Sequence, residues 1–149
     1  MKNLSKLALL TTDFLILDQV SKYFAKTSLE QPVNVIGNFF KFEYAENTGI
    51  AFSLPVPYLV IIISNFLLIG LLVYLAAKEL NLSHKIAKIA TSLLVAGGIG
   101  NLIDRVWHGF VIDFISIWKY PFFNLADVYI ITAVLLLIVF YGKIKRVKK

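Results

Sequence analysis

Apolar residues run through this chain in long blocks, not in the narrow stripes of a water-soluble fold. A membrane-crossing helix needs about 20 mostly apolar residues. The clearest block, Val56 to Ala77, carries no charge and opens at Pro55 and Pro57, as a helix start does. A last block is anchored by Leu135 to Phe140 and extends back to about Asn124. A third runs from about Ile86 to Ile103, with Lys88 near one end, where its long stem can snorkel to the interface. The first, about Leu4 to Phe24, is interrupted by Asp13, Asp18 and Lys22. Its two aspartates, and the lack of a following A-x-A site, argue for an uncleaved span over a signal peptide. The predicted fold is a membrane all-α protein with four transmembrane helices, over residues 4–24, 56–77, 86–105 and 124–142.

Two stretches break the pattern. Val33, Val35 and Ile36 precede a Gly37-Asn38 turn, and Phe39-Phe40-Lys41-Phe42-Glu43-Tyr44 follows with aromatic and charged residues alternating. This predicts short β-strands, a small extracytoplasmic β-cradle over about 30–54. Residues 106–122 are predicted to form a loop or short helix on the same side. With 149 residues there is room for one domain, 1–149.

Composition strengthens the membrane reading. Hydrophobic residues make up 58% and charged residues 16%, where soluble chains carry roughly 25% charge. Mean hydropathy is +0.77. Net charge is +6, which in a soluble domain would raise nucleic-acid binding. Here the basic tail Lys143, Lys145, Arg146, Lys148 and Lys149 directly follows an apolar block, the pattern of a cytoplasmic flank beside anionic lipid, so no nucleic-acid partner is expected. Ten Lys and Arg fall at the termini and the 78–88 loop; Lys22, Lys26, Lys41, Arg105 and Lys119 fall at the opposite end. The positive-inside rule places both termini in the cytoplasm.

Candidate chemistry narrows quickly. Cys is absent, which removes disulfides and a thiol nucleophile, and His84 and His108 are the two His, far apart in sequence. There is no G-x-S-x-G, P-loop or H-E-x-x-H. Polar residues inside a bilayer are expensive and so are functional candidates. Asp18 and Lys22 stand four apart with the acid first, a favourable helical pair that stabilises the first span or its packing. Asp13 has no obvious partner. Gly97-Gly98-Ile99-Gly100 permits close backbone approach, and Asn101, Asp104 and Arg105 follow. Asp113 lies among apolar residues at the expected outer interface. Asp127 follows Asn124 by three, which suits helix capping. With a last span beginning near Pro121, it would also sit ~9 Å below the outer end. Two carboxylates at one depth form a candidate dyad, in which one keeps its proton and the pair supplies base and acid together. A small transporter or proton channel, a metal-dependent phosphatidyltransferase-like enzyme and a non-catalytic scaffold are the competing classes. The first predicts polar groups through the whole depth, yet here they gather in the outer half apart from Asp13 and Asn65. The second lacks its D-G-x-x-A-R pattern, and the third leaves Asp113 unexplained.

Together, Asp18-Gln19-Val20-Ser21-Lys22, Asn47-Thr48-Gly49-Ile50-Ala51-Phe52-Ser53, Gly100-Asn101-Leu102-Ile103-Asp104-Arg105, Val111-Ile112-Asp113-Phe114 and Phe123-Asn124-Leu125-Ala126-Asp127 resemble, in order, the motifs of the lipoprotein signal peptidases. The resemblance covers nearly the whole chain. It implies an aspartic endopeptidase of the bacterial inner (cytoplasmic) membrane, with its active site on the extracytoplasmic side. Its partners would be membrane lipid and a diacylglyceryl-modified prolipoprotein, cut just before the lipidated Cys. Asp113 and Asp127 map onto the catalytic pair. Asn47, Gly49, Asn101, Arg105 and Asn124 map onto substrate-binding positions, and Asp18, Lys22 and Asp104 onto supporting ones. The β-rich cradle and mobile outer loop map onto about 30–54 and 106–122. No metal or other cofactor is implied, and a single copy of the chain is expected to suffice.

Overall fold

The structure, a computed structural model, describes residues 2–49, 56–118 and 121–147. Helix α1 (Lys2–Ser28) leads into strands β1 (Val33–Ile36) and β2 (Phe40–Asn47). Then come α2 (Tyr58–Glu79), α3 (Lys85–His108), β3 (Val111–Ile117) and α4 (Leu125–Ile144). The Ile50 to Ser53 part of the second motif lies outside the described residues.

Helix α3 is the centre of the bundle. Half of its apolar window is buried, against 11% for α2 and 17% for α4. Small residues make this possible: Ala87, Ala90, Ser92, Ala96, Gly97 and Gly100 are all buried on α3. A Cβ on Gly97 would lie 2.5 Å from the Ala126 carbonyl oxygen, and one on Gly100 would run into Asp18 Oδ2. Both separations are shorter than any carbon contact, so glycine is what lets α4 and the Asp18 carboxylate reach the α3 backbone.

The surface is inverted relative to a soluble protein. Asp18 is 0% and Lys22 1% exposed, whereas Phe66 is 70% exposed and Ile16, Leu17, Leu67 and Ile138 also face outward. Large contiguous apolar surface of this kind is stable against lipid, not water. Helices α2, α3 and α4 are long and apolar enough to cross a membrane. Helix α1 is long enough too, at about 40 Å, but carries Asp13, Asp18 and Lys22 in its length.

The expected hairpin forms around Gly37, whose φ of +48° suits glycine, with the Phe39 amide donating to the Ile36 carbonyl at 2.9 Å. Segment 106–122 departs from the expected loop or short helix. Helix α3 continues to His108 and stops at Gly109, which takes φ +85° and donates its N–H to the Arg105 carbonyl. The chain then enters β3, which pairs antiparallel with β2 in a sheet of order β1-β2-β3. The physical reason is hydrogen bonding: in the β2 register Asn47 meets Val111 and Ala45 meets Asp113, so the buried backbone of Val111–Ile117 is satisfied by a ladder. Helix α4 begins at Leu125 after the Asn124 cap, at the bound expected from sequence, because Phe123 still exchanges backbone hydrogen bonds with Ile115.

The two ends of the bundle are distinct. Ser92 Oγ donates to the Leu7 carbonyl, and the Arg146 amide donates to the Glu79 carbonyl. These contacts bring the start of α1, the α2–α3 connection and the end of α4 to one end. The sheet occupies the other.

Candidate active site

Asp113 is set by strand alternation. Ile112 and Phe114 point to one face of β3 and pack with Ala25 of α1, so Asp113 between them points to the other face. There its Oδ1 accepts from Asn124 Nδ2 at 2.7 Å and its Oδ2 from Asn47 Nδ2 at 3.1 Å. Asp127 is set by a helix start. Asn124 is the N-cap of α4, its Oδ1 accepts from the Asp127 amide, and Asp127 Oδ2 accepts from the Asn124 amide, a complete capping box. Asp127 therefore sits in the first turn, shallower than the ~9 Å given by a start at Pro121. Its other oxygen, Oδ1, accepts from Asn101 Nδ2 at 2.9 Å.

Two carboxamides join the carboxylates. Asn124 Nδ2 donates both to Asp113 Oδ1 and, at 3.1 Å, to Asn101 Oδ1. Asn101 passes the chain to Asp127. Lys22 fixes the direction of this relay. Its ammonium can only donate, and it donates to Asn101 Oδ1 at 3.1 Å. Asn101 must then present its oxygen to Lys22 and its NH₂ to Asp127.

Lys22 is itself pinned by Asp18 Oδ2 and Asp104 Oδ2, each at 2.9 Å. The two acids do more than neutralise it. Asp18 Oδ1 accepts from the Ala126 amide, one of the free N–H groups at the start of α4. Asp104 Oδ2 accepts from the Ile112 amide, tying α3 to β3 across the Gly109 turn. The Asp18–Lys22 pair read from spacing alone is thus a junction of α1, α3, β3 and α4. Arg105 uses its guanidinium on the Gly49 and Asn101 carbonyls, at 3.3 and 3.4 Å. Gly49 in turn donates its amide to Asn47 Oδ1. All ten candidate residues thus fall in one connected polar cluster.

Two further members of the cluster were not singled out from sequence. Gln19 Nε2 lies 3.1–3.3 Å from Asp18 Oδ2, the Gly100 carbonyl and Asp104 Oδ1. Tyr58 Oη donates to the Arg105 carbonyl at 2.6 Å. A glutamine beside Asp18 in an apolar block was a usable signal. Tyr58 offered none, since an aromatic residue at a span end reads as interfacial.

Burial pushes the Asp113 carboxyl up from 3.8 to about 6. The Asp127 negative charge adds to that rise, while the Asn47 and Asn124 amides oppose it. Because the neutral form is favoured, Asp113 contributes stability that is complete below pH 3.8 and lost as pH rises through about 6. Burial thus favours a protonated Asp113 at mildly acidic pH, joined to Asp127 through the Asn124 and Asn101 carboxamides. Among the described residues, no three His, Asp or Glu side chains gather as metal ligands.

Fold and site together define a helical membrane protein organised around paired carboxylates. Two solved bacterial membrane enzymes share the fold. One aligns with a TM-score of 0.82 at 32% identity, over 93% of this chain and 88% of its own. The other aligns with a TM-score of 0.76 at 29% identity, over 93% and 94%. The family described as signal peptidase (SPase) II is matched over residues 10–142. The lipoprotein signal peptidase of Caldicellulosiruptor bescii is 42% identical, covering 82% of this chain and 81% of that protein. Those of Clostridium tetani and Moorella thermoacetica are 39% and 35% identical, covering 87% and 83% of both partners respectively. The chain belongs to the signal peptidase II family, an aspartic peptidase family.

Proposed function

We propose that this protein is an intramembrane aspartic endopeptidase that removes signal peptides from diacylglyceryl-modified prolipoproteins, cutting before the lipidated Cys. The observation that carries the reading is the pair Asp113 and Asp127, bridged by Asn124 and Asn101 at one end of an apolar bundle. One carboxylate takes a proton from water as the water oxygen attacks the scissile carbonyl. The protonated partner gives its proton to the carbonyl oxygen, forming a tetrahedral diol. The C–N bond then breaks as the leaving nitrogen accepts a proton, and a carboxylic acid remains.

The roles of the surrounding residues follow from their contacts. Asn47, Asn101 and Asn124 orient the carboxylates, and their amides line the place where a substrate peptide meets them. Arg105 and Gly49 hold the chain that leaves β2 over this place. Asp18, Lys22 and Asp104 support it from behind. Four spans, α1 included, put the basic termini and the α2–α3 connection on the cytoplasmic side, with the site at the extracytoplasmic lip of the inner membrane. The ten-to-five distribution of basic residues supports that orientation.

The direct test is cleavage by purified protein of one precursor prepared with and without the diacylglyceryl group. Cleavage of the modified form, with mass spectrometry placing the new N-terminus at the lipidated Cys, is the expected result. Equal cleavage of both forms, or none of either, would overturn the reading.

A further inference from the structure

The inward face of α2 contains an unmatched polar group. Tyr58, Ile61, Asn65, Ile69, Leu72 and Ala76 are spaced three or four apart and form one stripe. Contacts fix where this stripe lies along α3. Tyr58 Oη reaches the Arg105 carbonyl. Ile69 lies against Gly98, where an added Cβ would meet its side chain at 2.9 Å. Leu72 packs against the cluster that holds Leu93 and Leu94, and Ala76 shares a cluster with Ala87. Asn65 therefore falls between the levels of Arg105 and Gly98, the stretch of α3 that carries Asn101, and so lies with the outer polar residues from which its sequence position had set it apart. At that level its Nδ2 is buried and has no hydrogen-bond partner among the described residues.

In a bilayer such an omission is costly, since neither lipid chains nor apolar neighbours can replace the missing acceptor. The buried polar groups around the carboxylates, from Asp18 to Asn124, are hydrogen-bonded, and the Glu43 Oε2 at the sheet end is ion-paired with Lys41. We infer that Asn65 is a substrate-binding residue whose carboxamide N–H donates to a backbone carbonyl of the membrane-embedded signal segment beside the carboxylates. A helix has no free carbonyl in its interior, but a peptide must be extended where it is cleaved, and an extended stretch presents unpaired carbonyls. The free enzyme carries the cost of the orphan donor, and the bound substrate relieves it. The inference rests on the proposed peptidase reading.

Asn65→Leu separates the two. Removing an orphan donor should raise the midpoint of thermal unfolding in detergent by about 3 °C. It should also raise KM for the diacylglyceryl-modified precursor about fivefold, the loss of one neutral hydrogen bond, with kcat close to the parent's. A second precursor, with ether-linked chains in place of the lipid esters, should show the same fivefold effect of the substitution, because the acceptor is a peptide carbonyl. An unchanged KM, or a stability loss with kcat falling in step, would overturn the inference. So would disappearance of the KM effect with the ether precursor, which would move the acceptor to the lipid. If the parent enzyme itself fails to cleave, the peptidase reading falls instead.

Discussion

Asp113→Asn and Asp127→Asn should each lower the rate of precursor cleavage about a thousandfold, the scale on which a positioned acid or base contributes. The double variant should be no slower than the worse single one. Groups that act as one unit are lost together, since a base without its acid leaves the carbonyl oxygen without its proton, and an acid without its base leaves the water unactivated. Both variants should still fold. Asn at 127 keeps an oxygen to accept from the Asn124 amide, and Asn at 113 keeps an acceptor for either Asn47 or Asn124. The rates are to be followed by gel shift of the modified precursor, with thermal unfolding in detergent measured in parallel. Additive losses in the double variant would mean two groups acting separately.

The second large effect concerns stability. Lys22→Met should cost about 3–5 kcal/mol, because it leaves the Asp18 and Asp104 carboxylates buried without their cation. The triple variant Asp18→Asn, Lys22→Met and Asp104→Asn should regain much of that loss, since it buries no charge at all. Cleavage should not return with it. Without the ammonium, the Asn101 oxygen keeps only the Asn124 Nδ2 donor, which also serves Asp113, and the carboxamide is held less firmly toward Asp127. Denaturation midpoints measured beside cleavage rates separate the two effects. A Lys22→Met protein as stable as the parent would show that the junction contributes no stability.

How much of this was legible depends on whether the signal was local. Helix α2 is readable because its own composition demands it. The Gly37 turn and the capping box at Asn124 and Asp127 are short-range, and so is the four-residue spacing of Asp18 and Lys22. Strand β3 was not legible. It is buried on both faces, so Val111–Ile117 shows no clean alternation, and its partner β2 lies more than sixty residues away in sequence. The same distance hid what Asp104 does. Its partners Lys22 and Gln19 belong to α1, and only the folded bundle brings them to it. What the sequence of α4 does not encode is the Phe123–Ile115 pairing, which holds the chain extended up to the Asn124 cap.

Asp113 and Asp127 are coupled through charge, the Asp127 carboxylate raising the Asp113 midpoint. Titration of the Asp113 side chain by ¹³C NMR, in the parent and in Asp127→Asn, measures that coupling without substrate. The parent midpoint should lie at about 6. In Asp127→Asn it should fall, since the neighbouring negative charge is gone, but stay above 3.8 because burial remains. A parent midpoint near 3.8, or one that Asp127→Asn leaves unmoved, would contradict the account.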